Sequence, residues 1–400
     1  MHILFIGGIF DDSHNKEIIS KTKTYVEYAA NNFQRKIIEG LRANGMELDV
    51  ISAPFLGAYP MAYSDMIFKG FESGDTSGIQ YVHFNNVWGL RNPSRRRAVK
   101  KQLLNFIKEE DSEKLIIVYT PHTPFIQAAA YAKRMDKRIR ICLVIPDLPQ
   151  FMNLADKVSP IYRTLKKYDV KKFLNESKTA DTYVLLTEQM REPLCVGERP
   201  YIVVEGIYEP LSQINKVKKS EIVLAYTGKL DRSFGIMSLI HAFSSIRDDR
   251  LRLVICGSGE EKENVEKEAQ KDERIVFLGQ VPSNKAREII QNADILINPR
   301  QNNTEYTKYS FPSKIIDYIS TGNTVIAYKL DGMPDIYDEF VYYVPDNSVE
   351  SLASTIKYVI NEKDEQKKKK SEKGIEYISS RLSKEYIGKR IIELNKQRNS

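Results

Sequence analysis

Asp294-Ile-Leu-Ile-Asn-Pro-Arg300, a loop, and then Tyr309-Ser-Phe-Pro-Ser-Lys-Ile-Ile-Asp-Tyr-Ile-Ser-Thr-Gly-Asn-Thr-Val-Ile326 read in order as strand, loop, helix, turn and strand. Ser310 suits an N-cap, Pro312 is tolerated in a first helical turn, and Gly322 stands where a helix end favours a left-handed residue. Ile315, Ile316 and Ile319 then share a core face. Ser313, Lys314 and Asp317 share the other through i,i+3 and i,i+4 spacing. A strand that leads through a helix into the next strand is the unit of a parallel sheet.

The same alternation runs outward in both directions. Short runs of Ile, Val and Leu predict strands at Ile3 to Ile6, Glu47 to Ile51, Leu115 to Tyr119, Arg140 to Ile145, Thr182 to Leu186 and Tyr201 to Val204, with helices at Tyr28 to Asn44, Arg95 to Lys108 and Thr123 to Met135. A second series follows at Ile222 to Tyr226, Arg252 to Cys256, Ile275 to Leu278, Ile295 to Ile297, Thr324 to Ala327 and Val341 to Val344. Between them, Gly206 to Lys219 loses the apolar pattern and carries Pro210, so residues 206–220 are expected to be a linker. The expected domains are 1–205 and 221–375, each a doubly wound α/β sheet. Residues 376–400 complete a closing helix, Ile375 to Asn395, that packs back on the first domain. In such sheets ligands sit at the carboxyl ends of the strands, and two such edges are expected to face a central cleft.

Composition removes several classes. Of 400 residues, 42% are hydrophobic, with 20 Gly and 16 Pro, which excludes fibrous and disordered chains. Sixty basic against fifty-three acidic residues leave +7, a mild excess that suits a phosphate-bearing ligand or an anionic surface without demanding nucleic acid. Cys142, Cys195 and Cys256 lie far apart and lack C-x-x-C spacing, which points away from disulfides and thiolate metal sites and towards a cytoplasmic setting. The five histidines show no metal-ligand spacing, so no metal is expected. No signal segment and no membrane span is read.

Several residues suggest chemistry. A lysine in a first helical turn is disfavoured by the dipole unless an anion docks there, and Arg300 can reach the same anion. Asp317 can accept both hydroxyls of a ribose, because a carboxylate offers two oxygens to a vicinal diol. The alternative is that Lys314 and Asp317 pair on the surface and Arg300 is solvated. Gly257-Ser-Gly259 lacks a third glycine at Lys262, and Gly7-Gly8 lacks the full dinucleotide fingerprint, which disfavours a nicotinamide enzyme; no P-loop is present either. Gly7-Gly8 suits close approach of a ligand to bare backbone, or a plain turn. His122 follows a strand and precedes an apolar helix, and Asp147, between Pro146 and Pro149, either meets acceptor hydroxyls or forms a turn. Ile161 to Leu174 interleaves apolar residues with Arg163, Lys166, Lys167, Lys171 and Lys172, a pattern that suits anionic lipid or a solvated face. Arg95, Arg96, Arg97, Lys100 and Lys101 are expected to add to that surface.

The segment 309–319 resembles the nucleotide-binding end of the retaining GT-B glycosyltransferases of family 4. Tyr226-Thr-Gly-Lys-Leu230 resembles that family's first donor-domain strand and turn, Leu253 to Glu260 its Gly-x-Gly strand end, and Arg274 to Val281 its base-recognition strand. The first half resembles the family more loosely, through Gly7-Gly8, Thr120-Pro-His122 and Ile145-Pro-Asp-Leu-Pro149. The resemblance implies a GT-B fold and a retaining hexosyltransferase that uses a UDP- or GDP-sugar without metal or other cofactor. It implies donor contacts at Gly7, Gly8, Lys229, Gly257, Val281, Tyr309, Ser313 and Asp317, catalytic contributions from His122, Arg300 and Lys314, and an acceptor contact at Asp147. Two positions depart from the pattern. Asp317 holds the second of two usual glutamate positions and Tyr309 the first, and the slot before Gly235, usually basic, is Phe234. The implied acceptor is a saccharide or lipid-linked oligosaccharide of bacterial surface polysaccharide, met at the cytoplasmic face of the membrane. A sugar-nucleotide 2-epimerase and a non-catalytic nucleotide-sugar-binding subunit remain as alternatives.

Overall fold

A computed structural model of the chain describes residues 1–71, 78–109, 113–119, 121–152, 159–211 and 221–396. Most of the expected linker, residues 212–220, and Thr120 lie outside these. The chain divides into two compact units, residues 1–207 with 384–400 and residues 208–383.

The sheet of unit 1 is built from β1 (His2–Gly7), β2 (Leu48–Ser52), β3 (Ile79–Tyr81), β4 (Lys114–Tyr119), β5 (Ile139–Ile145), β6 (Thr182–Leu185) and β7 (Tyr201–Val203). Its order is β3-β2-β1-β4-β5-β6-β7, and every pair is parallel. β4 is buried along its whole length, as expected of a central parallel strand covered on both faces. The sequence reading missed β3, a three-residue edge strand whose Ile-Gln-Tyr is too short and too mixed to show a pattern.

In unit 2, β8 (Ile222–Lys229), β9 (Leu251–Ser258), β10 (Ile275–Phe277), β11 (Ile295–Asn298), β12 (Thr324–Ala327) and β13 (Tyr342–Tyr343) form a second parallel sheet, ordered β10-β9-β8-β11-β12-β13. Both orders begin 3-2-1-4-5-6, the doubly wound arrangement. Strand order reverses beside β1 in one unit and beside β8 in the other, and ligands bind at the carboxyl ends there.

The helices that matter below are α1 (Tyr28–Ala43), α2 (Arg91–Lys108), α3 (Thr123–Met135), α4 (Pro160–Ser177), α5 (Ile236–Ser244), α6 (Lys314–Ile319), α7 (Asp364–Arg381) and α8 (Lys384–Lys396). The single closing helix of the sequence reading is in fact parts of α7 and α8, broken at Leu382, whose ψ of 7° leaves the helical basin. α7 belongs to unit 2 and α8 to unit 1. α8 lies on α1 at closest backbone approach: a Cβ on Gly40 would strike the Lys384 carbonyl, and one on Gly388 the Gly40 carbonyl. The Asn44 side-chain amide donates to the Glu385 carbonyl at 2.8 Å, and the Thr182 hydroxyl donates to Asn395 Oδ1 at 2.7 Å, tying α8 to the sheet.

Candidate functional site

In unit 2 the reversal point is lined by cations. β8 ends on Lys229, which is exposed, and β11 runs through Pro299 into Arg300. Lys314 opens α6, and its ammonium lies across the bare backbone of Gly228: a Cβ there would sit 2.7 Å from Nζ. Among the described residues the Lys314 ammonium makes no hydrogen bond or salt bridge. Burial pushes its pKa below the ordinary lysine value, with Asp317 opposing the shift. A desolvated, unpaired cation is costly, and an anion placed beside it relieves that cost.

Arg300 is held on three sides. Its guanidinium donates to the Ser310 hydroxyl at 3.1 Å and lies over the rings of Phe234 and Tyr306 at 5.4 and 5.3 Å from their centroids. Gly235 follows Phe234 at φ 72°, where a side chain would meet the Pro299 carbonyl, so the Phe234 turn and the Arg300 loop are packed backbone to backbone. Tyr318 fixes the other side, its hydroxyl accepting from the Thr227 amide at 3.1 Å and locking α6 to the end of β8. Sequence reasoning missed Tyr306, Phe234 as a support, and Tyr318. The i,i+4 spacing of Tyr318 from Lys314 was the only available signal.

The helix expected from Ser310 is shorter and starts later. Residues 305–309 form a 3-10 turn, Ser310 is extended at φ −130° and ψ 141°, and α6 is a six-residue helix with Ser313 at its N-cap. The residue before a proline is steered away from the helical basin, so Phe311-Pro312 cannot open the helix as drawn, and Ser310 serves Arg300 instead of capping. One and a half turns make little macrodipole, so the positive character of this end of the sheet comes from the side-chain cations and not from the helix start. Ser313 and Asp317 are exposed on α6, while Tyr309 and Val281 are half-buried. Gly257, at φ 149°, has a backbone reason of its own, since a Cβ would enter the Gly228 carbonyl of the neighbouring strand.

In unit 1, Gly7 and Gly8 end β1 at its reversal point, but the space beside them belongs to the same unit. A Cβ on Gly7 would meet Gln34, and one on Gly8 would meet Phe55 at 2.5 Å; Gln34 Oε1 accepts from the Gly8 amide at 2.9 Å. His122 precedes α3 without capping it through its side chain. Its ring packs edge-on against Phe125 at 4.6 Å and Phe55 at 5.7 Å, and Arg95 Nη1 lies 3.2 Å from its Nε2. Burial first, then the charges of Arg95 and Arg91, hold its pKa well below 6.5, so it is neutral and Nε2 is the acceptor. Arg95 was expected on a basic surface. It is 1% exposed, its Nη2 donating to the Pro54 carbonyl at 2.7 Å. Asp147 is half-buried after β5 and acts on Tyr119.

α4 presents Ile161, Leu165 and Tyr168 outward at 74%, 48% and 66% exposure, with only Phe173 and Ser177 buried, so its apolar stripe is not core. Among the described residues no helix is long and apolar enough to cross a membrane, and no group of three His, Cys, Asp or Glu residues is placed to hold a metal.

Residues 208–377 match the model of the family described as glycosyl transferases group 1. No curated protein matches the chain. Among solved structures, a sucrose-phosphate synthase from Thermosynechococcus elongatus superposes with a TM-score of 0.67 at 15% identity over 99% of both chains. Anabaena HepE in complex with UDP gives 0.62 at 12% identity over 98% of this chain and 99% of that one. An E. coli structure described as trehalose-6-phosphate bound with UDP-2-fluoro glucose gives 0.65 at 10% identity over 100% of both. At these identities the likeness is one of fold, and the two parallel α/β units have the GT-B fold.

Proposed function

From residues 208–377, which match the glycosyl transferases group 1 model, we propose that the protein transfers a hexose from a UDP- or GDP-sugar to a saccharide acceptor with retention of configuration. The observation that carries this reading is the trio Lys229, Arg300 and Lys314 at the reversal point of the unit 2 sheet, with the Lys314 ammonium desolvated and unpaired. A departing nucleoside diphosphate develops negative charge as the anomeric C–O bond breaks. Fixed cations stabilise that charge more in the transition state than in the ground state. They do so without a metal. The acceptor oxygen forms the new bond to the anomeric carbon, and its proton passes to the leaving phosphate oxygen. Asp317, exposed on α6 three residues after Lys314, receives the ribose diol, while Tyr309 and Ser313 line the donor and Val281 and Gly257 the base side. A uridine donor is favoured because three of the structural neighbours are described with UDP or a UDP-sugar.

For unit 1, taken by itself, the reading assigns acceptor binding to His122 and Asp147, while Gly7 and Gly8 are closed off by Gln34 and Phe55. The exposed apolar stripe of α4 with Arg163, Lys167 and Lys171 supports peripheral attachment to an anionic membrane and a lipid-linked acceptor of surface polysaccharide synthesis, whereas Lys166, expected on the same surface, has its ammonium buried. Thermal stabilisation of the wild type and Asp317→Ala by UDP, GDP, ADP and CMP tests the donor site. A ligand at 100 times its dissociation constant adds about 2.7 kcal/mol. A preference for one nucleoside diphosphate that weakens in the variant is expected. No shift with any nucleotide would overturn the transferase and favour a non-catalytic subunit, whereas conversion of the donor sugar without acceptor would reveal an epimerase.

A further inference from the structure

Unit 1 contains a concentration of positive charge that the donor chemistry does not use. Arg91 and Arg95 lie one turn apart at the start of α2, an 18-residue helix with no acidic residue in its first turn and no side-chain cap. Cations at a helix N-terminus oppose the dipole. α3 begins nearby, also with no acidic residue in its first turn, and the Thr123 hydroxyl that opens it is 4% exposed and has no partner. Arg95 is 1% exposed, backed by the Phe84 ring at 4.4 Å, and its Nε is buried without a partner. Arg91 is half-buried, and its hydrogen bond among the described residues is one from Nη1 to the Leu56 carbonyl at 3.0 Å. Desolvation depresses both arginines, and the charges that act on Arg91, Arg95 and His122 include no described carboxylate. Asp147 and Glu27 act on Tyr119 instead. Arg95, 3.2 Å from His122 at the start of α3, and Arg91 one turn before it on α2 thus act on one another and on His122 at the reversal-point end of the sheet, with no described anion acting on them.

We propose that Arg91, supported by Arg95 and Thr123, forms a subsite for the phosphate group of a phosphate-bearing acceptor. This rests on the transferase reading and narrows its acceptor class. The subsite holds a planar fork of donors against a phosphate, the geometry at which arginine exceeds lysine. A soluble sugar phosphate and a lipid phosphate share this chemistry. The exposed Trp88 and Leu90 beside Arg91, at 61% and 57%, make the lipid source a physical option.

The test is calorimetric titration of inorganic phosphate into the full-length protein saturated with UDP, so that the donor site is filled. Wild type is expected to bind phosphate, Arg91→Gln to bind it at least tenfold more weakly, and Arg91→Lys to fall between, with an unchanged urea unfolding midpoint in both as the check on folding. Binding that is indifferent to Arg91→Gln, absent from the wild type, or lost through Lys314→Gln instead would overturn the subsite. Competition then separates the sources: displacement by glucose 6-phosphate supports a soluble acceptor, and displacement by monomeric dihexanoyl phosphatidic acid a lipid one. Displacement by neither means an adventitious ion only and overturns the acceptor role. Failure of UDP to bind would sink the donor reading while leaving the Arg91 comparison intact.

Discussion

The Arg300 guanidinium lies 5.4 Å over the ring centroid of Phe234, the residue before Gly235. The charge is supplied from the loop after β11, and the Phe234 ring steadies it. Tyr306 closes the other side at 5.3 Å.

Phe234→Ala is therefore expected to weaken UDP binding roughly 2- to 30-fold, the range of a cation–π contact from exposed to desolvated. Titration calorimetry reads this directly. An unchanged affinity would mean that Arg300 does not depend on the ring.

Lys314 gives a pH dependence with a definite sign. Burial lowers its pKa below 10.5, and a bound diphosphate favours the protonated form, so binding takes up protons and affinity falls as pH rises towards the lysine range. UDP dissociation constants measured from pH 7 to 9 should rise in the wild type earlier than a free lysine would allow. Lys314→Gln should bind more weakly throughout and lose the slope.

His122 acts on stability in the opposite direction from a paired histidine. Its folded pKa is depressed below 6.5, so the unfolded chain binds the extra proton. The contribution is intact above about pH 6.5 and is lost as pH falls towards the folded value. Urea midpoints at pH 7 and pH 5 should differ more for the wild type than for His122→Gln. Equal differences would remove the assignment.

Gly388→Ala is expected to cost about 1–3 kcal/mol, because the new methyl group meets a backbone carbonyl of α1 that cannot rotate away. Urea unfolding followed by circular dichroism measures it, and Gly40→Ala should behave alike. Loss of unit 1 stability with nucleotide affinity in unit 2 retained is the pattern that follows from α8 belonging to unit 1.

Much of this protein was legible in its residues. The buried aliphatic runs placed every strand of both sheets except the β3 edge and the two-residue Ile67–Phe68 and Phe84–Asn85 pair, because a strand covered on both faces leaves an apolar signal that needs no partner to be read. Lys229, Arg300, Lys314 and Asp317 could be named because each follows a strand or opens a helix, positions set by local pattern.

What tertiary structure alone decided is which neighbours these side chains keep. Ser310 caps no helix and serves Arg300 because Pro312 forbids the earlier start; Phe234 and Tyr306 become supports because two distant loops meet; Arg95 leaves the surface stripe for the side of His122. Periodicity records which face of an element is apolar, and it carries no record of what the opposite face will touch. Burial of a charge, its pairing and its pKa depend on atoms brought together from far along the chain. The sequence by itself determined the two parallel sheets and the positive end of one of them, and packing decided which of those charges are paired, which are buried, and which keep no partner among the described residues.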